Sequence, residues 1–277
     1  MTQVFTMAPA WRECSFLRES LTRGLRAAAP SAPAGVLLDF DGTLAPFFED
    51  RYKVVAFPGV RELLARLLET QHLRVALVTG RPCEELLGLL RLEQAPEIWG
   101  CHGAERLLPT GELRRRTPPA AEAAAVAEAI SWVEASGWAE RLEHKPAGLV
   151  FHTRDLEEAA SETLCARVRG RWRELALDGG LLVQDFFGGV ELRPLGVHKG
   201  QAVATIREEL GPGAFMLYVG DDLSDEDAFR ALVAPGFGLL ACSDGEPSRG
   251  TAAQAWLRTP EELLPLLDLA ASPTACA

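Results

Sequence analysis

Asparagine is absent from the 277 residues, and of 28 basic residues only Lys53, Lys145 and Lys199 are lysine. A chain that uses arginine wherever any cation serves keeps a lysine where a compact ammonium is needed. A basic excess is missing as well. The balance of 28 basic against 39 acidic residues leaves −11, which argues against nucleic acid or an anionic membrane as partner. No apolar run approaches the ~20 residues that span a bilayer. Residues 1–35 lack an apolar core of secretory length, and a short helix closing on an Ala/Pro linker near 27–33 is expected there. Cys14, Cys83, Cys101, Cys165, Cys242 and Cys276 show no paired spacing and no C-x-x-C, so they read as reduced cytoplasmic thiols. The five histidines have no zinc-like spacing.

What is present is an ordinary globular composition, 48% hydrophobic and 24% charged, in a chain long enough for one large domain or two modest ones. From Gly35 onward, strand-like runs alternate with helical periodicity: "VLL", "VRELLARLLE", "LRVALVTG", "CEELLGLLRL" and "EIWGCHG". The rhythm returns in "KGQAVATIREEL", "FMLYVGDD" and "FGLLAC". Alternation of this kind predicts a doubly wound α/β parallel sheet with helices on both faces. Between the two halves the pattern becomes helix-strand-strand, twice over, with the second helix at about 155–176. It predicts a smaller α+β domain, a four-stranded antiparallel sheet backed by two helices, inserted at 111–192. The expected division is therefore an extension at 1–34, a core at 35–110 and 193–277, and the insert. "RRRTPPA" at 114–120 reads as its solvated entry linker.

The aspartates are unevenly placed. Half of the 12 lie in two stretches, 39–41 and 221–227. In "GVLLDFDGTLAP" an apolar strand runs into Asp39 and Asp41, and residues two apart on an extended backbone share a side. Two carboxylates crowded there repel unless a cation or proton offsets them. Ligands of open α/β sheets gather at the carboxyl ends of strands. Four candidate strands end in polar residues: Asp39-Phe40-Asp41, Thr79-Gly80-Arg81, His102-Gly103 and Gly220-Asp221-Asp222. With Lys199 opening a helix, the set predicts a Mg²⁺-dependent phosphoryl-transfer site, the hard cation answering the crowded acids. Weighed alone, D-x-D is more often a turn with solvated acids, and "GDDLSDEDAF" could be an acidic first helical turn in which Asp225 and Glu226 serve as caps. Cys83 lies near Arg81 without a base beside it, and Lys53 reads as surface.

"DFDGTL", "VTGRP", "HKG" and "GDDLSDEDAF", in that order, resemble the four motifs of the haloacid-dehalogenase-like hydrolases. "HGAE" at 102–105, "EHKPAGLVFHTR" at 143–154 and "GGVELRP" at 188–194 narrow the resemblance to the trehalose-6-phosphate phosphatase family, over about 35–266. The resemblance implies that Asp39 is the nucleophile that becomes an aspartyl-phosphate, and that Asp41 is general acid and then base. It implies that Thr79 hydrogen-bonds the phosphoryl group, and that Lys199 holds its charge. Mg²⁺ would bind Asp39, the backbone carbonyl of Asp41 and Asp221, with Asp222 and Asp225 as further ligands or as supports behind them. Gly42 and Thr43 would give a tight turn and backbone N–H groups, with Arg81, His102 and Gly103 also at the substrate. Glu143, Lys145, Arg154 and Glu191 would bind the sugar. His198 stands where an Asp commonly precedes Lys-Gly, which puts in question the support an Asp would give Lys199. The stretch after Cys242 keeps only a Thr251-x-Ala253 echo. The implied partner is a small sugar phosphate, with no nucleic acid, no membrane and a monomer favoured. Alternatives are a phosphatase for sucrose or glucosylglycerol phosphate, a silent sugar-phosphate-binding regulatory subunit, and mutase-like transfer.

Overall fold

The computed structural model describes residues 7–26, 33–48, 52–186, 188–243 and 245–271. Most of the expected linker at 27–33, and Cys276, lie outside them. The chain divides into two compact units, one of residues 1–114 and 198–277, the other of Arg115–Val197.

In chain order the strands are β1 (Ala34–Leu38), β2 (Leu73–Val78), β3 (Glu97–Gly100), β4 (Glu105–Leu107), β5 (Leu113–Arg115), β6 (Leu142–Lys145), β7 (Gly148–His152), β8 (Leu181–Phe186), β9 (Gly189–Pro194), β10 (Phe215–Gly220), β11 (Gly236–Cys242) and β12 (Ala255–Arg258). The α-helices are α1 (Ser15–Arg26), α2 (Val60–Glu69), α3 (Cys83–Leu90), α4 (Ala120–Ala135), α5 (Glu158–Gly179), α6 (Lys199–Leu210), α7 (Glu226–Ala231) and α8 (Leu263–Ala271).

The first unit is built on one sheet of order β12-β11-β10-β1-β2-β3-β4-β5. From β12 to β3 every pairing is parallel, and β4 then runs antiparallel to β3. Every residue of β1 is buried, which is why its sequence is an unbroken apolar run rather than an alternation. Val36 and Leu38 pack toward Val60, Leu64 and Leu67 of α2, whereas Leu37 packs toward Val203 and Ile206 of α6. The chain leaves β1 for β2 on one side and returns beside it as β10 on the other, so the carboxyl ends of β1 and β10 meet where the winding reverses.

Three boundaries differ from the sequence expectation. Residues 7–26 do not stand apart as an extension. Leu21 and Leu25 of α1 are buried in the first core, and Trp11 N–H donates to Trp256 O at 2.8 Å. The unit boundary near residue 111 falls later, at Arg115, because β4 and β5 add themselves to the edge of the large sheet. At the other end it falls at Val197 rather than 192, because Leu195 N–H donates to Gly180 O and holds the end of β9 to its own unit.

The second unit is a four-stranded antiparallel sheet of order β6-β7-β9-β8. Phe151, Val190 and Leu192 pack with Val133 of α4 and with Val168 and Trp172 of α5. This is the arrangement that the repeated helix-strand-strand pattern predicts. Helix α5 begins at Glu158 rather than 155, after a turn in which Leu156 N–H donates to Thr153 O. It ends on Gly180, whose φ of 64° suits a left-handed cap.

Candidate active site

Asp39 follows β1 directly, and its N–H still pairs with Val219 O at 2.8 Å, so its place is set by the sheet. The chain then turns sharply. Phe40 O accepts from the N–H groups of Leu44 and Ala45, and Gly42 holds φ at 82°. A Cβ on Gly42 would lie 1.9 Å from Asp221 Oδ2, so the turn passes hard against the acid at the end of β10. Gly42→Ala is expected to destabilise the fold by about 2 kcal/mol through that contact and the positive φ. Urea denaturation reads this, and an unchanged midpoint would contradict the close approach. The expected phosphate donors are not found here. Gly42 N–H donates to Ala45 O at 2.8 Å and Thr43 N–H to Phe40 O at 3.3 Å. Closing the turn engages both N–H groups, while Thr43 Oγ1 is buried with no hydrogen-bond partner among the described residues.

Lys199, 2% exposed at the start of α6, donates to Asp39 Oδ1 at 2.7 Å and to Asp225 Oδ1 at 2.8 Å. The chain thus keeps this lysine where an ammonium is enclosed between two acids. It has its support without an Asp at 198, because Asp225 supplies it. Asp225, fully buried, also accepts from Tyr218 Oη and from the N–H groups of Asp221 at 3.1 Å and Asp222 at 2.9 Å. Four donors fill the acceptor positions of one carboxylate, so Asp225 serves as an anchor for Lys199 and for the turn carrying Asp221. Asp222 turns away to cap the next turn, its side chain accepting from Leu223 N–H.

The acids are costly to hold together. Burial pushes Asp39 up to about 7; the Lys199 ammonium partly offsets this, while Asp225 and Asp41 add to it. Burial, then the charges of Asp39 and Asp225, push Asp221 up to about 9. Asp221 Oδ1 is buried with no hydrogen-bond partner among the described residues. Asp39, Asp221 and Asp225 each bring one carboxylate oxygen into a group within 4.8 Å of one another. An orphaned carboxyl oxygen among crowded acids that stay protonated for want of a countercharge is what a hard, oxygen-binding cation fits.

Asp41 is served separately. Arg81 Nε donates to its Oδ2 and Arg81 Nη2 to its Oδ1, both at 2.6 Å, while Arg81 Nη1 binds Glu85. The two acids of D-F-D therefore each have a cation of the protein's own, Lys199 for Asp39 and Arg81 for Asp41. Arg81 was expected at the substrate, but its fork is engaged with Asp41 and Glu85. Thr79, buried at the end of β2, accepts from Arg81 N–H through its hydroxyl at 3.1 Å, which leaves the hydroxyl proton to donate elsewhere. His102 N–H donates to Thr79 O, and the imidazole lies over Gly80, where a Cβ would come within 2.9 Å of it. Gly103, at φ 106°, turns the chain after it. Cys83 is buried and its thiol is pushed up to about 12 by burial and by Glu105, in keeping with an unreactive thiol.

In the second unit Glu143 and Glu191 share a sheet face, each paired with Val150. Lys145 Nζ donates to Glu191 at 3.2 Å, and His152 Nε2 lies 2.8 Å from Glu143. Arg154 is exposed, with its guanidinium 5.9 Å from the centre of the Phe186 ring. His152 and Phe186 join this group although sequence reasoning gave them no role. Tyr218, Glu85 and Glu226 were missed likewise. Glu226 is not a solvated cap but is 3% exposed. It accepts from Arg249, Thr251 Oγ1 and Ala252 N–H, while Arg249 Nη2 donates to Asp221 O at 3.3 Å. The Thr251-x-Ala253 echo was the one signal of this tie, and the stretch is less loose than its composition suggests.

Residues 37–254 match the trehalose-phosphatase family. The trehalose-6-phosphate phosphatase of Escherichia coli (strain K12) is 32% identical over 206 residues, covering 73% of this chain and 74% of that protein. A protein of Mycobacterium tuberculosis (strain CDC 1551 / Oshkosh), named an uncharacterized glycosyl hydrolase, is 31% identical over 239 residues. That match covers 81% of this chain and only 17% of the relative's length. Among solved structures, trehalose-6-phosphate phosphatase of Aspergillus fumigatus superposes with a TM-score of 0.69 at 22% identity, over 95% of this chain and 99% of that one. At that identity the likeness shows the shared fold.

Proposed function

The chain belongs to the trehalose-phosphatase family, and from that premise we propose that it hydrolyses trehalose 6-phosphate to trehalose and phosphate. The observation that carries this reading is the Lys199 ammonium enclosed between Asp39 and Asp225 beside the orphaned Asp221 oxygen. In this reading Asp41 leaves its pairing with Arg81 and takes a proton as substrate binds. A carboxylate oxygen of Asp39 attacks phosphorus, the bond to the sugar oxygen breaks, and Asp41 gives that oxygen its proton. Water then attacks the phosphorus of the acyl phosphate on Asp39 and gives a proton to Asp41. The phosphorus–Asp39 bond breaks, so phosphate leaves and both side chains return to their starting states. Lys199 holds negative charge on the transferring group, and the Thr79 hydroxyl donates to it.

Asp39, Asp221 and the backbone carbonyl of Asp41 would hold Mg²⁺, which when bound neutralises the crowded acids and polarises the phosphoryl oxygens. Asp225 and Asp222 support the site from behind in this reading. For the sugar, the mixed face of Glu143, Lys145, Glu191 and Arg154 offers donors and acceptors in fixed places, the means by which a pocket rejects a ligand lacking the partner groups. The reading also places the protein in the cytoplasm, and it is supported there by Cys14, Cys83, Cys165 and Cys242 forming no disulfide. No described helix is long and apolar enough to cross a membrane.

Phosphate release across trehalose 6-phosphate, sucrose 6-phosphate, glucosylglycerol phosphate and glucose 6-phosphate tests the proposal. Strong preference for the first, abolished by EDTA and restored by Mg²⁺, is the expected result. Preference for another ester would overturn the sugar assignment, and EDTA-resistant turnover would overturn the metal.

A further inference from the structure

The chain contains two tyrosines. Tyr52 is 72% exposed, whereas Tyr218 is fully buried in the middle of β10. Its ring packs among Met216, Val203 and Ala228 and meets Phe229 edge to face, with centroids 5.6 Å apart. For that packing a phenylalanine would serve as well, and it would avoid placing a hydroxyl in an apolar layer. A buried hydroxyl is costly unless bonded. The hydroxyl's partner is Asp225 Oδ1, the same oxygen that accepts from Lys199.

We propose that Tyr218 is a positioning residue for the reaction, fixing through Asp225 the ammonium of Lys199 against Asp39. Three linked contacts make the path: Tyr218 Oη to Asp225 Oδ1, Lys199 Nζ to that oxygen at 2.8 Å, and Lys199 Nζ to Asp39 Oδ1 at 2.7 Å. The other oxygen of Asp225 is held by two backbone N–H groups. The hydroxyl thus removes the last freedom of the carboxylate to rotate or to reach toward a cation beside Asp221. Without it, Oδ1 keeps Lys199 as its one remaining donor, and the lysine can follow a carboxylate that is no longer fixed at that end. A group acting through a catalytic residue affects turnover more than substrate binding.

The inference rests on the phosphatase reading but not on which sugar is bound, so 4-nitrophenyl phosphate with Mg²⁺ is the probe. Tyr218→Phe keeps the ring and is expected to lower kcat about tenfold with KM little changed. Combined with Asp225→Asn, and measured with enough enzyme to read that slow variant, it is expected to add no further loss. An unchanged kcat, whatever happens to stability, would overturn the proposal. A loss in KM alone, or a loss that multiplies in full onto Asp225→Asn, would do the same. Wild-type turnover of the aryl phosphate checks the phosphatase reading separately. Absence of turnover of both this ester and trehalose 6-phosphate overturns both readings, and where only trehalose 6-phosphate is turned over the same comparisons are read on it. Turnover of this ester without turnover of trehalose 6-phosphate overturns only the sugar assignment.

Discussion

Asp39→Asn is expected to abolish phosphate release, a loss of at least about four orders of magnitude, while leaving a folded protein. The size follows from what the amide removes. An amide oxygen is a poor nucleophile and an amide carries no charge for a cation, so the covalent step has no substitute group. Lys199, whose charge would assist from beside the phosphoryl group, cannot attack phosphorus in its place while it is held as an ammonium between acids. Folding is expected to survive because the amide oxygen of the variant can still accept from Lys199. Losing one of three crowded carboxylates also removes the Asp39 charge that, after burial, helps push Asp221 up to about 9. The variant is therefore expected to melt no lower than wild type in metal-free buffer. Retained turnover would mean that the phosphoryl group does not pass through Asp39. A variant that loses turnover only because it unfolds would say nothing for the nucleophile, so both quantities are measured on the same sample.

Lys199→Met is the second large effect, and here stability and activity fall together. The lysine is buried against Asp39 and Asp225 and lowers the pKa of both Asp39 and Asp221. Removing one partner of a buried ion pair costs about 3 kcal/mol, because the acids left behind have no cation. The cost depends on pH. Asp39 and Asp221 lie above their ordinary 3.8 in the folded chain. Their contribution is thus fully present below that value and is lost as pH rises through about 7 and then about 9. Without Lys199 both values rise further, so the metal-free variant is expected to be close to wild type in acid and to fall well below it in mildly alkaline buffer. Urea denaturation at two such pH values reads the difference, and a deficit independent of pH would contradict it. Phosphate release is expected to fall by about a thousandfold, the loss typical of removing one charge-stabilising donor from the transition state.

Much of this site was legible because its chemistry needs particular residue types at strand ends. Asp39, Thr79 and Asp221 stand where an apolar run stops, Lys199 opens a helix, and a period-2 or period-3.6 pattern locates those points. The helix-strand-strand insert was legible for the same reason. What stayed hidden depends on side-chain pairing across long sequence separations. Nothing local in "VTGRP" says that Arg81 will turn to Asp41, 40 residues away, rather than to a ligand. Tyr218 lies inside an apolar strand where its ring explains itself, so its hydroxyl gave no signal. The boundary near residue 111 was misplaced because β4 and β5, three residues each, are too short for alternation to register. The turn at Gly42 was legible, but the use of its N–H groups was not, since that depends on which carbonyl they meet once the turn closes.

The central claim is that phosphate leaves the substrate by way of Asp39. Acid quenching of the enzyme within one turnover of trehalose 6-phosphate and Mg²⁺, followed by peptide mass mapping of residues 34–48, tests it most directly. One phosphoryl group on Asp39, present at early times and absent from Asp39→Asn, is the predicted result. Steady release of phosphate with that peptide unmodified at every time point, or with the group carried elsewhere, would contradict it.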